Sequence, residues 1–185
     1  MTFIVGQHRK FVLAGHDTLD PTKVTGPEQI LPLGYLWTSL PGIDDDGTGT
    51  NSVNQGTRTW IYIKANATIA AGTVVQRRDA IADYVGQVAD LGAPAMSVLG
   101  VAQYEIAAGE YGFILREGIT DTLTLNGAVT DGVPLVTAVG VGNEGKVDDW
   151  VPAVGITQPQ IDQQARIIGL TIDALNTVYR IHCVG

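Results

Sequence analysis

Three short apolar runs constrain the fold most, because none of them is long enough to form a helix with one buried face. They are Thr73–Val75, Val98–Ala102 and Tyr111–Leu115, and Ala-Gly and Gly-Glu turns separate them. All three are rich in β-branched, aliphatic or aromatic residues, which favour strands. The segment from residue 69 to residue 118 therefore predicts a compact β unit made of closely spaced strands.

Strand-like runs continue along the chain, with turn signals at intervals of roughly ten residues. The clearest run is Arg58–Lys64, in which aromatic residues at 60 and 62 alternate with isoleucines at 61 and 63. This spacing is typical of an all-β sandwich or barrel. The other predicted strands are Ser97–Gln103, Tyr111–Glu117, Thr122–Leu125, Pro134–Thr137, Ala153–Thr157, Arg166–Ile172 and Thr177–Val184.

Residues 79–92 fit two local structures. Their apolar residues follow helical spacing, and Asp79 can cap a helix. Gly86 lies in the middle of the segment and weakens a helix by about 1 kcal/mol. Because the flanking segments are predicted strands, we favour a strand here and keep a short helix as the alternative.

The sequence also contains a weak internal repeat. One set of elements lies at residues 71–75, 98–102 and 111–118, and a second set lies at 131–136, 167–171 and 178–185. Residues 153–157 resemble the middle element again. Each middle element carries a glycine between apolar residues, which lets a neighbouring backbone or ring approach closely. The repeat predicts pseudo-symmetric strand pairs that close one barrel.

The N-terminal part of the chain differs from the rest, so we divide the chain into residues 1–57, an extended arm and flexible loop, and 58–185, a β-barrel domain. Within the arm, Ile30–Leu40 is apolar, but its proline and glycine exclude a central strand. We expect it to lie on a surface, either its own or a partner's. Asp44–Asp46 resemble part of a calcium loop, but the distal Glu is absent, which favours a solvated turn.

The composition excludes several classes of function. The formal net charge is −8, and a chain of this sign repels nucleic-acid backbones. No apolar stretch is long and uninterrupted enough to span a bilayer, and no targeting segment is visible. Charged residues make up 16% of the chain, below the usual share of about 25%. We therefore expect a soluble protein, some of whose apolar surface is covered by neighbouring copies.

No catalytic motif stands out. His8, His16 and His182 lie at the two ends of the chain without metal-ligand spacing, and no nucleophile elbow or phosphate-binding loop is present. Cys183 is the single cysteine, so no intramolecular disulfide forms, and a small buried side chain in a strand is its expected role. We expect no enzyme activity, no cofactor and no metal.

The segments AAGTVVQRR and ADLGAPAMSVLGVAQYEIAAGEYGFILREGIT resemble the small β-barrel capsid decoration proteins of tailed bacteriophages, also called head-stabilising or cement proteins. Residues 69–118 match in order and approximate spacing, residues 127–185 match loosely as a second run, and residues 1–57 carry no assigned motif. The resemblance implies a virion protein, made in the host cytoplasm, that binds the outside of the capsid, often as a trimer. Its partners would then be the major capsid protein and other copies of itself.

On this reading the arm contacts the capsid or a neighbouring copy through Phe3–Leu13 and Ile30–Leu40, while the barrel forms the homotrimer. The predicted contact residues are Phe3, Phe11, Leu31, Leu33, Tyr35, Trp37 and, as an intersubunit hydrogen-bonding group, Glu110. The main alternative is a receptor- or glycan-binding module of a virion fibre or spike. A cupin-type enzyme and a shell-forming capsid protein fit less well, because the histidines are dispersed and no long helix is predicted.

Overall fold

The computed structural model describes residues 25–39, 57–79, 84–150, 167–173 and 178–183, and this part of the chain is all-β. A single 3₁₀ turn, Ala95–Ser97, is the one helical segment among these residues. The strands in chain order are β1 Leu36–Ser39, β2 Arg58–Ala65, β3 Val74–Arg77, β4 Val85–Val88, β5 Val98–Val101, β6 Tyr111–Thr120, β7 Pro134–Thr137, β8 Val147–Asp149, β9 Ile167–Asp173 and β10 Val178–His182.

Five of these strands close into a barrel, which we call the first ring. Its strand order is β2-β4-β3-β5-β6, and β6 returns to β2 through a long antiparallel ladder from Thr59 to Lys64. The pair β2–β4 is parallel, whereas the other pairs of the ring are antiparallel. Closure removes the sheet edges that an open sheet of this size would expose.

Alternation along the strands separates two apolar layers. The isoleucines at 61 and 63 in β2 join Val75, Leu99 and Ile114 in the buried cluster within the first ring. Trp60 and Tyr62 project from the other face of β2 and pack in a second buried cluster outside the ring. The alternation predicted for Arg58–Lys64 is therefore confirmed, because neighbouring residues of a strand point to opposite faces.

The remaining strands form a second ring that shares β6 with the first. Residues Gly118–Thr120, at the end of β6, pair with β10, and the order then continues through β9 and β7 to β8. The chain after β6 returns beside β8, where Leu125 forms an isolated parallel bridge with Val147. The backbone amide of Asn126 donates to the carbonyl of Val147 at 2.8 Å, which supports the same contact.

The two rings repeat each other at the level of single hydrogen bonds. The Ala102 amide donates to the Thr73 carbonyl in the first ring, and the Thr171 amide donates to the Val133 carbonyl in the second, both at 3.0 Å. The pairs β3–β5 and β7–β9 also carry a register shift at corresponding positions, after Val75 and after Leu135 respectively. The predicted internal repeat is therefore a real structural duplication.

The central glycines of the repeat permit close backbone contact, as predicted. A Cβ atom added to Gly100 in β5 would lie closer than 3.0 Å to the carbonyl oxygen of Leu115. A Cβ atom added to Gly169 in β9 would lie equally close to the carbonyl oxygen of Arg180. Each glycine therefore allows the middle strand of its ring to lie against the last strand of that ring.

The structure corrects the prediction that both repeat sets close one barrel. Each set closes its own ring, because each has further strands of its own: β2 and β4 in the first, β8 and the segment after β6 in the second. The strand favoured within residues 79–92 is confirmed as β4, whereas the predicted strand Thr122–Leu125 is reduced to the bridge at Leu125. The predicted strand Ala153–Thr157 lies outside the described residues.

The described part of the arm packs on the chain's own barrel. Strand β1 extends the sheet beside β2, with Trp37 opposite Trp60 and Leu36 opposite Ile61. Leu31 and Trp37 are buried there in the same cluster as Trp60. Of the two surfaces considered for Ile30–Leu40, this part of the chain therefore occupies its own.

Candidate interaction surfaces

The potentially reactive side chains of the described residues do not converge on one site. No group of three or more His, Cys, Asp or Glu side chains is arranged to hold a metal ion in this part of the chain. His182 is exposed on β10 and lies 3.3 Å from the carboxylate of Glu117, its register partner on β6. His8, His16 and the Asp44–Asp46 loop lie outside the described residues.

Cys183 directly follows β10 and is buried on the opposite side from His182. Burial raises the pKa of its thiol to about 12, and the nearby Arg116 guanidinium lowers it only in part. The thiol is therefore protonated near neutral pH, and the neighbouring His182 imidazole is exposed on β10 and not buried with it. This placement agrees with the expected role as a small buried side chain.

The predicted contact residues divide into buried and partly exposed groups. Leu31 and Trp37 are buried within the single chain, whereas Leu33 and Tyr35 are partly buried against the same cluster. Glu110 lies in the turn before β6, where its carbonyl accepts a hydrogen bond from the Ala65 amide at 2.8 Å. Phe3 and Phe11 lie outside the described residues, and a capsid or subunit contact through any of these residues stays a prediction.

Two neighbouring loops expose four large apolar side chains, a group that the sequence analysis did not single out. We call it the loop patch, and it consists of Leu91, Met96, Val139 and Val141. Met96 is 80% exposed and Val141 is 97% exposed, values that are unusual for side chains of this size. Leu91 and Met96 lie between β4 and β5, whereas Val139 and Val141 lie in the hairpin between β7 and β8.

Hydrogen bonds hold the two loops of the patch side by side. The Gly92 amide donates to the Ala138 carbonyl at 2.8 Å, and the Thr137 hydroxyl donates to the Ala93 carbonyl at the same distance. The hairpin is further tied to the first ring, because the Gly145 amide donates to the Ala89 carbonyl at 2.9 Å. The patch therefore joins both rings at one fixed site.

Local backbone geometry explains why Val141 projects into solvent. It lies at the tip of the β7–β8 hairpin between two glycines with positive φ, Gly140 at 94° and Gly142 at 84°. Such φ values are favourable for glycine, so the two glycines form the tight turn and the valine between them has no partner strand. In the sequence, a single large aliphatic residue between turn glycines was the signal that could have revealed this position.

Two further pairs of large apolar side chains are exposed, one on each side of β6 in the order of the sheet. Leu170 and Ile172 on β9 are 38% and 43% exposed and lie on the outer side of the second ring. Ile30 and Leu36 in the arm are 38% and 49% exposed and lie beside β2 on the first ring. We call these pairs the β9 face and the arm face.

The described aromatic residues pack mainly into the protein. Trp60, Tyr62 and Phe113 are fully buried, and the ring of Tyr62 stacks on that of Tyr111 with centroids 6.1 Å apart. Burial raises the pKa of Tyr62 above its ordinary value. An exposed aromatic cluster of the kind that binds sugars is therefore not formed by the described residues.

Comparisons with known proteins leave the family open. A scan against protein-family models found no match, and searches of curated proteins and of solved structures found none either. In the described ranges, no helix has the length and apolar character needed to cross a membrane.

Proposed function

We propose that this protein is a structural component of a phage virion that binds the outer surface of the capsid, as a homotrimer, and stabilises the shell. Two independent lines support the proposal. The residues that carry the resemblance to capsid decoration proteins, 69–118, form most of the first ring, from the turn before β3 to the end of the ladder in β6. The loop patch supplies an exposed surface suited to adhesion.

The loop patch is the observation on which the proposal depends. Its side chains are large and apolar, and they project from loops that are fixed by hydrogen bonds, so docking them costs little conformational entropy. Burial of a valine or methionine side chain at an interface stabilises by roughly 1.5–3 kcal/mol. When many copies bind one lattice, contacts of this size suffice for stable decoration of the shell.

The charge balance agrees with a position outside the shell. With a net charge of −8, the protein is repelled by the packaged DNA, and it adds to the negative charge on the particle surface. The receptor- or glycan-binding alternative has less support, because the large aromatic residues of β2 and β6 are buried. A catalytic role was not expected from the sequence, and the proposal does not require one.

The direct test is co-sedimentation of the purified protein with capsids that lack it. We expect Val141→Asp to weaken capsid binding about tenfold or more, because a charge would replace an apolar side chain at the interface. Ala128→Asp is the matched control, since it adds the same charge at another exposed loop position. Equal binding of both variants and of the wild type would remove the loop patch from the capsid contact.

The contribution of the arm needs a second variant. Deletion of the whole segment 1–40 would remove the buried Leu31 and Trp37 and damage the barrel. Deletion of residues 1–24 leaves the packed part of the arm in place. If capsid binding is lost without a change in thermal stability, the contact lies within residues 1–24, which include Phe3–Leu13; if binding is unchanged, the predicted contact through Phe3–Leu13 is wrong.

A further inference from the structure

The chain after β6 carries an Asn-Gly pair, Asn126-Gly127, at the place where it joins β8. The backbone amide of Asn126 donates to the Val147 carbonyl at 2.8 Å, and the Val147 amide donates to the Thr124 carbonyl at 3.0 Å. The side chain of Asn126 adds a third bond, in which Nδ2 donates to the Asp148 carboxylate at 2.9 Å. Asn126 therefore helps to hold this segment against β8 and so to close the second ring.

An asparagine that precedes a glycine is chemically vulnerable, because the next backbone nitrogen can attack its side-chain carbonyl carbon. Glycine has no Cβ atom to hinder this approach, and it accepts backbone conformations that other residues avoid. Both Asn126 and Gly127 are exposed to solvent. A Cβ atom added to Gly127 would meet no atom within 4 Å, so the surroundings leave room for a cyclic intermediate.

The hydrogen bonding of the glycine nitrogen distinguishes this pair from the Asp-Gly pair that follows it in the chain. Within the described part of the chain, the Gly127 amide donates to no acceptor. The amide of Gly132, which follows Asp131, donates to the Thr171 carbonyl at 2.9 Å. The Gly127 nitrogen is therefore free to react, whereas the Gly132 nitrogen is held by a strand of the second ring.

We propose that Asn126 is a site of spontaneous deamidation in the folded protein, with the Gly127 nitrogen as nucleophile and water as co-reactant. The nitrogen loses its proton to solvent and bonds to the side-chain carbonyl carbon of Asn126. The bond from that carbon to Nδ2 breaks, and Nδ2 leaves as ammonia with a proton taken from solvent. Water then opens the resulting succinimide, at the side-chain carbonyl to give aspartate or at the main-chain carbonyl to give isoaspartate.

Either product weakens the attachment of this segment to β8. Aspartate has no side-chain N–H to donate, so two carboxylates face each other where the Asn126 and Asp148 side chains now lie 2.9 Å apart, and like charges repel. Isoaspartate also lengthens the main chain between Asn126 and Thr130, whose amide donates to the Asp149 carboxylate at 2.9 Å. The modification thus loosens the closure of the second ring, and this chemistry does not depend on binding to a capsid.

The test is peptide mapping by mass spectrometry of the full native chain after incubation in mildly alkaline buffer. We expect aspartate and isoaspartate to accumulate at position 126 faster than at Asn66 or Asn143, which precede alanine and glutamate. Gly127→Ala should slow the conversion about tenfold, which corresponds to a barrier about 1.4 kcal/mol higher, because the methyl group hinders the attack. Digestion at acidic pH and an unaged sample control for conversion during handling.

Two further variants test the consequence for the second ring. Asn126→Asp reproduces the aspartate product and should lower the urea midpoint of unfolding relative to the wild type. Asn126→Asp combined with Asp148→Asn exchanges donor and acceptor, so this double variant should recover the wild-type midpoint. Conversion at Asn126 no faster than at Asn66, equal conversion in Gly127→Ala, an unchanged midpoint in Asn126→Asp or no recovery in the double variant would overturn the proposal.

Discussion

Substitution of Gly100 by alanine tests the closest backbone approach in the first ring. The added Cβ would lie closer than 3.0 Å to the Leu115 carbonyl oxygen, whereas ordinary contacts begin near 3.4 Å. Strands β5 and β6 would have to move apart, although β6 is also held by β2 along most of its length. Overpacking of this kind costs about 3 kcal/mol, which is a large part of the 5–15 kcal/mol that typically stabilises a domain.

Thermal and urea unfolding followed by circular dichroism measure this effect. For a chain of this length, a loss of about 3 kcal/mol corresponds to a decrease in Tm of roughly 10 °C. Gly127→Ala is the matched control, because an added Cβ meets no atom within 4 Å there and its backbone does not have a positive φ. A Gly100→Ala variant as stable as Gly127→Ala would refute the close approach.

Further predictions concern the second ring, the junction and the ionisable groups. Gly169→Ala should destabilise about as much as Gly100→Ala, and a neutral effect would contradict the structural repeat. Arg58→Met should lower the free energy of unfolding by about 2 kcal/mol in urea, because the buried Arg58 guanidinium donates to the Ile119 carbonyl at 2.9 Å. An unchanged urea midpoint would refute this role of Arg58. Cys183 should resist thiol reagents at pH 8 until guanidinium unfolds the chain, and rapid labelling of the native protein would contradict its burial. Because burial raises the pKa of Tyr62 from 10.0, the folded state keeps the Tyr62 proton at a pH where the unfolded chain loses it. The free energy of unfolding should therefore keep its whole Tyr62 contribution below about pH 10 and decrease as the pH rises further. Tyr62→Phe should reduce that decrease, and an identical decrease in the variant and the wild type would refute this assignment.

Local sequence pattern predicted most of the described strands, because strand residues follow a period of two wherever one face is buried. The alternation in β2 and the turn signals before β3 and β7 identified these strands correctly. The repeated glycines also predicted close strand contacts, since only glycine leaves room for a neighbouring backbone at these positions. The duplication itself was therefore visible in the sequence.

Long-range partners could not be read from the same pattern. The short strand β8, Val147–Asp149, carries two aspartates and no apolar run, so its pairing depends on β7 and not on its own composition. Likewise, the sequence does not state that β6 serves two rings, because that depends on where β10 pairs along its length. For these two reasons the sequence predicted one barrel, whereas the structure has two rings.

The exposed surfaces were the least predictable features. Met96 looks like an ordinary apolar residue in the sequence, and only the folded loop shows that nothing in the described chain covers it. The arm residues Leu31 and Trp37 show the opposite case, because their apolar character indicated a contact surface and the fold buries them on the chain's own barrel. Burial depends on tertiary neighbours, and residue type alone does not report them.

The proposed role is tested most directly by asking whether this protein is present in purified phage virions, and at what copy number. Quantitative mass spectrometry should find the protein in a fixed ratio to the major capsid protein, at a level comparable to that of the shell subunit. Its absence from virions, or its presence at only the few copies expected of a fibre or spike, would contradict the capsid-decoration role.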